Sequence, residues 1–244
     1  MITRRTFATS AAALAAAAAT TPAFAQQPSV KVGELNSYGR MAAFAVPYRN
    51  GLELALAEIN AKGGVLGGRK LEFVIRDDGS TPGDAVRVAE ELLTREGCSM
   101  LVGTFLSNVG LAVADFANQK KTLFIASEPL TDAITMGSGN PYTYRVRPGT
   151  YMQTRMLVDA AKGKPAKRWA IVAPNYEYGQ SAAATFKELI KEANPAAEIV
   201  AEQYPALGKV DAGATVSALA QANPDGIFNV LFGADLPPFV REGS

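Results

Sequence analysis

The sequence predicts an α/β chain of two doubly wound parallel-sheet lobes. Three observations carry that prediction. Strand and helix signals alternate from Val30 to the last residue. The strands read as short apolar runs rather than as polar-apolar alternations, as expected for a parallel sheet covered on both faces. The pattern also restarts after Arg147-Pro148-Gly149, so the alternation divides into two units joined there. In open sheets of this kind ligands bind beyond the carboxyl ends of the strands. Two facing lobes would therefore enclose a cleft between those ends.

In the first unit, Val30 to Leu35 reads as a strand. Pro47 is expected to open a helix, because proline suits a first helical turn. Leu52, Leu56 and Ile59 lie at helical spacing along it, and Lys62-Gly63-Gly64 ends it. Lys70 to Arg76 is a second strand, running into Asp77-Asp78. Thr81-Pro82-Gly83-Asp84 starts a helix that reaches about Glu96. Met100 to Thr104 is a third strand, and Ser107 begins a helix to about Gln119. Thr122 to Ala126 and Tyr142 to Val146 complete the unit as strands. In the second unit, helices are expected over about Tyr151–Ala161, Gly179–Ala193 and Asp211–Gln221. Strands are expected over Arg168–Ala173, Glu198–Tyr204 and Gly226–Phe232, with Asn223-Pro224-Asp225 as a turn before the last.

The first residues read as an export signal. Arg4-Arg5 forms a positive start, Ala11 to Ala19 a mildly apolar run, and Ala23-Phe24-Ala25 a small-x-small cleavage site. Arg4-Arg5 followed by Phe7 fits a twin-arginine signal in part, and an ordinary Sec signal is the alternative. Either route leads to the periplasm. The expected organisation is a signal over residues 1–25, a first lobe over 26–147 and a second over 148–244.

Composition excludes several function classes. The chain has 24 basic and 23 acidic residues, a net charge of +1. That balance gives no basic patch for nucleic acid. No stretch is long and apolar enough for a transmembrane helix. There is no histidine and a single cysteine, Cys98. The commonest general base and metal ligand are thus missing, and no disulfide or thiolate cage can form within the chain. Cys98 reads as a packed thiol. We expect no cofactor, no metal and no catalytic residues.

Four local features need weighing. Gly63 to Lys70 superficially resembles a phosphate loop, but it leaves a helix and enters a strand, the reverse of the P-loop context. It reads as a glycine-rich turn. Asp77-Asp78 reads as a turn and helix lead-in rather than a metal pair. Ser107 stands at a helix start, where its hydroxyl can cap the helix or help the free N–H groups hold an anion. Glu128, just after the fourth strand, can pair with Arg145 or Arg147 or accept a hydrogen bond from a ligand. Tyr176, Glu177 and Tyr178 lie between a strand and a helix, where aromatics pack the loop or stack on a ligand.

Several stretches resemble the periplasmic leucine/isoleucine/valine-binding proteins of ABC importers. They are Gly51-Leu52-Glu53-Leu54-Ala55, Glu58-Ile59-Asn60-Ala61-Lys62-Gly63-Gly64-Val65, Gly68-Arg69-Lys70-Leu71-Glu72, Asp77-Asp78, Val102-Gly103 with Ser107, Tyr178-Gly179 and Phe232-Gly233-Ala234-Asp235. The resemblance spans Val30 to Ser244. It implies the type I periplasmic binding fold, which closes on a small-molecule ligand and delivers it to a membrane permease. It implies that Phe44 lines the first-lobe wall, Ser107 binds a ligand carboxylate and Tyr178 contacts the ligand from the second lobe. Glu128 and Leu130 stand where amino-acid binders keep a small residue and a threonine. A glutamate there would repel a carboxylate unless paired or protonated. The resemblance implies branched-chain amino acids only as a default ligand, and, because family relatives also bind aromatic acids, amides and urea, the expected ligand is an amino acid, an aromatic acid or an amide. The cysteine pair of some members is replaced by Ser80 and Leu106. Family members run further, so the chain is expected to be truncated at its C-terminus. The alternatives are a ligand-sensing domain of the same fold and an α/β enzyme; the latter lacks histidine and any Gly-x-Ser-x-Gly motif.

Overall fold

A computed structural model describes residues 28–244 of the chain. The export signal read in residues 1–25 lies outside the described residues. The first unit alternates β1 (Val30–Asn36), α1 (Ala42–Ala61), β2 (Leu71–Asp77), α2 (Pro82–Thr94), β3 (Met100–Gly103), α3 (Ser107–Lys120), β4 (Phe124–Ala126) and β5 (Thr143–Arg145). The second runs α4 (Thr150–Ala161), β6 (Arg168–Val172), α5 (Glu177–Ala193), β7 (Glu198–Gln203), α6 (Ala212–Gln221), β8 (Gly226–Asn229) and α7 (Leu236–Glu242). Two parallel sheets result, ordered β2-β1-β3-β4-β5 and β7-β6-β8. In each sheet the order reverses direction beside the first strand of the unit, which is the switch point of a doubly wound fold.

Local chemistry sets the element boundaries. Thr81 caps α2 by accepting from the Asp84 N–H at 3.2 Å, with Pro82 at the first helical position. Asp211 caps α6 through the Ala214 N–H at 3.0 Å. On α2 the buried residues are Ala85, Val88, Ala89 and Leu92, a three-four spacing that turns one face to the sheet. The first core gathers Leu35, Leu92, Leu101, Val109, Val113 and Phe124. In the second unit, Phe186 stacks on Phe228 with centroids 4.2 Å apart, and Trp169 meets Phe186 edge-on at 5.5 Å. The opposite face of that sheet packs Ala170, Val172, Leu219, Leu231 and Phe239. Cys98 is buried among the first-unit apolar residues. Among the described residues no helix is long and apolar enough to cross a membrane.

Some expectations need correction. Pro47 does not open α1; the helix starts at Ala42 and contains the proline. Three of the five residues before it, Ala42, Ala43 and Ala45, are the strongest helix formers and extend it backwards. Proline at its sixth position costs one hydrogen bond, to the Ala43 carbonyl. The strand after α6 ends at Asn229 rather than Phe232, and β4 begins at Phe124 rather than Thr122.

The joint between the units is built on Asp132. Its carboxylate accepts the Tyr151 N–H and the Thr150 hydroxyl, both at 2.6 Å, and so caps α4 from outside the helix. Arg145 reaches the same carboxylate at 3.4 Å and donates to the Thr131 carbonyl at 2.8 Å. A Cβ at position 149 would run into the side-chain ends of Asp132 and Arg145, so any larger residue there would have to displace this pair. Thr131 also donates to Glu177 at 2.7 Å, tying the start of α5 to the first unit.

Candidate ligand cleft

The turns beyond the carboxyl ends of β3, β4, β6 and β8 converge on a cavity of about 250 Å³. From the first unit come Phe44, Phe105, Ser107, Glu128 and Leu130. From the junction and the second unit come Arg147, Gln153, Tyr176, Tyr178 and Phe232. The size lies just below the roughly 300–1,000 Å³ of pockets for drug-sized ligands, so it suits a smaller molecule.

Five aromatic rings form much of the wall. Phe44 and Phe105 stack at 5.0 Å with planes 30° apart. Phe232 is the hub, 5.9 Å from Phe44, 6.0 Å from Phe105, 6.0 Å from Tyr178 and 6.5 Å from Tyr176. These are contact spacings, so the five rings form one continuous aromatic wall. Burial raises the phenol pKa of Tyr176 and Tyr178, so both stay neutral at physiological pH.

Ser107 differs from its expected capping role. It is the first residue of α3, and its hydroxyl caps no N–H of its own helix. Its oxygen accepts the Leu130 and Thr131 N–H groups instead, each at 3.2 Å. The loop after β4 passes close enough to compete for that oxygen and orients it. Both of its lone pairs are thereby occupied, while the hydroxyl proton remains free to donate.

Glu128 also differs from one expectation. It pairs with neither Arg145 nor Arg147 through its carboxylate. Arg145 is held by Asp132, and Arg147 reaches only the Glu128 backbone carbonyl, at 3.4 Å. The Glu128 carboxylate accepts from Asn36 Nδ2 at 2.7 Å. Burial raises its pKa, against the Asn36 hydrogen bond and the Arg147 charge, which lower it. Behind Asn36 lies a polar layer. Asp78 accepts from Ser37 Oγ at 2.9 Å and from the Ser80 N–H at 2.8 Å. Glu34 accepts from Tyr38 at 2.9 Å. Asp77-Asp78 thus forms a turn, and among the described residues no group of three or more His, Cys, Asp or Glu is placed to hold a metal ion.

All four residues singled out from the sequence, Phe44, Ser107, Glu128 and Tyr178, line this one cavity. Sequence reasoning passed over Phe105 and Phe232 as wall residues. Both follow the carboxyl end of a strand, and that position was the available signal.

Two parallel α/β units facing each other across a small aromatic-lined cleft define a two-lobed binding fold. The sequence profile of the family described as "Periplasmic binding protein" matches residues 29–244, and the chain belongs to that family. It is 28% identical over 245 residues to Leu/Ile/Val-binding protein homolog 7 of Brucella suis, covering 96% of this chain and 59% of the relative. The chain thus spans about 59% of the length of the curated relative it matches. Among solved structures it resembles an ABC-transporter solute-binding protein of Rhodopseudomonas palustris in complex with 3,4-dihydroxybenzoic acid. The TM-score is 0.77 at 26% identity, over 88% of this chain and 57% of that one. It also resembles a branched-chain amino acid transporter substrate-binding protein of Streptococcus pneumoniae in complex with isoleucine. There the TM-score is 0.72 at 26% identity, over 82% of this chain and 56% of the other.

Proposed function

We propose that this chain captures a small carboxylate-bearing molecule in the cleft and presents it to the membrane permease of an ABC importer. It acts by binding and release rather than by catalysis. The observation that carries this reading is the cavity itself, closed by aromatic rings from both units around a serine hydroxyl and a guanidinium. Ser107 donates its free proton to the ligand carboxylate, and Arg147 at the mouth supplies the positive charge. Phe44 from the first unit and Tyr178 from the second pack on the apolar body, and Glu128 lines the same cavity. The two lobes, residues 26–147 and 148–244, close on the ligand about the Arg147–Gly149 segment. The signal read in residues 1–25 supports a periplasmic site of action. Relatives that hold isoleucine and a dihydroxybenzoic acid support an amino acid or an aromatic acid as the ligand class.

Thermal unfolding with a panel of amino acids, aromatic acids and amides tests this. A ligand at about one hundred times its dissociation constant should stabilise the folded chain by about 2.7 kcal/mol. For a chain of this size that raises the midpoint by roughly 5–10 °C. A cooperative melt that no member of the panel moves would overturn the reading.

A further inference from the structure

We propose that Asp235 is a positioning residue for closure of the cleft. Through the Leu207–Gly208 peptide it aims a carbonyl oxygen at Arg40, and that bond clasps the two units together on the side away from their joint. This deepens the binding function proposed above, on which it rests, by naming what keeps the cleft shut. The first unit hands the chain over beside β5, the edge strand of its sheet, and β1 lies three strands in from that edge. Arg40 follows β1, in the turn before α1. Its Nη2 donates to the Leu207 carbonyl at 3.1 Å, in the turn after β7. Leu207 and Tyr176, both of the second unit, also pack against the buried residues of the first. Phe44 and Phe232 line the ligand cavity and a neighbouring one of about 390 Å³, whose other walls include Arg40, Leu207 and Asp235. The clasp therefore sits just outside the ring wall.

Asp235 sets the direction of this bond. It is 4% exposed, and both its oxygens accept backbone N–H groups of that same turn, Gly208 at 2.7 Å and Val210 at 3.1 Å. A buried carboxylate is tolerated where such bonds replace water, and bonds to a charged acceptor are strong. The Gly208 N–H and the Leu207 carbonyl belong to one planar trans peptide, so they point in opposite directions. Fixing the N–H on Asp235 fixes the carbonyl toward the first unit, where Arg40 meets it. Hydrogen bonds at the two ends of a peptide polarise it and strengthen each other. Asp235 stands three residues after Phe232, whose carbonyl accepts its N–H at 3.3 Å. The segment that carries the hub of the ring wall thus also carries the residue that aims the clasp.

Residual dipolar couplings of the isotope-labelled chain, which report how the two units are oriented, test this with no ligand needed. In the wild type the couplings of both units should fit one alignment frame, in the relative orientation of the structure. Arg40→Ala should split that frame into two, one per unit, while each unit still fits its own fold. The Gly208 and Val210 amides should stay protected from hydrogen exchange in that variant, because Asp235 still holds them. Asp235→Asn keeps one acceptor and presents an N–H group where the second stood. It should split the frame as well, and lose that protection. A merely structural residue would lower the unfolding midpoint without turning one unit against the other. Lys209→Ala, in the same turn but outside the relay, should keep the single frame. A wild type that needs two frames, an Arg40 or Asp235 variant that keeps one, or a Lys209→Ala chain that also splits overturns the clasp and leaves the binding function standing. Should Asp235→Asn not fold, the Gly208 amide of Arg40→Ala decides. Its proton should move upfield as the peptide loses polarisation, and an unmoved proton overturns the part given to Asp235.

Discussion

Raising the pH from about 5 to about 8 is expected to lower the folding stability of this chain by on the order of 2–3 kcal/mol, with Glu34 as the main cause. Glu34 sits on β1 with no exposed surface. Its Oε2 accepts from Tyr38 at 2.9 Å, but Oε1 has no hydrogen-bond partner among the described residues. Burial pushes its pKa up to about 8 from an ordinary 4.5. The Tyr38 hydrogen bond opposes the shift, nearby Asp78 and Glu128 add to it, and Arg49 opposes it weakly. The sign follows from proton counting. Between about 4.5 and about 8 the unfolded chain has lost this proton and the folded chain has kept it. Stability from this group is therefore complete below the unfolded pKa and is lost as pH rises through the folded one. Asp78, also raised by burial, acts in the same direction. Glu34→Gln keeps the shape and an acceptor for Tyr38 but cannot ionise. Urea unfolding at both pH values should show a much shallower loss in the variant. Equal slopes for the two proteins would contradict this assignment.

Gly103→Ala should destabilise the chain by roughly 3 kcal/mol or more, combining backbone strain with overpacking. Gly103 ends β3 with φ of +125°, a region that side chains rarely adopt. A Cβ built there would lie 2.2 Å from the Leu35 carbonyl oxygen. That oxygen also accepts the Thr104 N–H at 2.7 Å, so moving it would break the link between β1 and β3. The next residue, Thr104, has a positive φ as well, at +59°. Together the two turn the chain sharply so that Phe105 and Ser107 face the cleft. Gly83 on α2 is the control: its φ is ordinary and nothing lies within 4 Å of a built Cβ. Gly83→Ala should be neutral or slightly stabilising. Denaturant midpoints for both variants measure the difference, and equal midpoints would contradict the role given to Gly103.

Much of this architecture was legible in the sequence because it depends on local pattern. Apolar strand runs, the Thr81-Pro82 helix start and the helix beginning at about Asp211 are written in neighbouring residues, and the observed elements follow them in order. The carboxyl-edge rule points to Ser107, Glu128 and Tyr178, and all three line the cavity. What was not legible depends on residues distant in sequence. Nothing near Ser107 shows that its oxygen would serve the loop after β4. Nothing near Arg145 shows that Asp132 would hold it and so leave Arg147 alone at the cleft mouth. Phe105 and Phe232 become one ring cluster only when the two sheets face each other. Pro47 misled because a proline's own preference for a first turn was outweighed by the helix-forming residues before it.

The central claim is that the cleft between the two sheets is where a small carboxylate binds. An NMR titration of the isotope-labelled chain with 4-hydroxybenzoate and with isoleucine tests it most directly. The account predicts saturable shifts for one of these ligands, centred on the amides of Phe105, Ser107, Tyr178 and Phe232. Trp169 and α6, on the far side of the second unit, should stay still. Saturable shifts centred away from those four residues, or no shifts with either ligand, would contradict it.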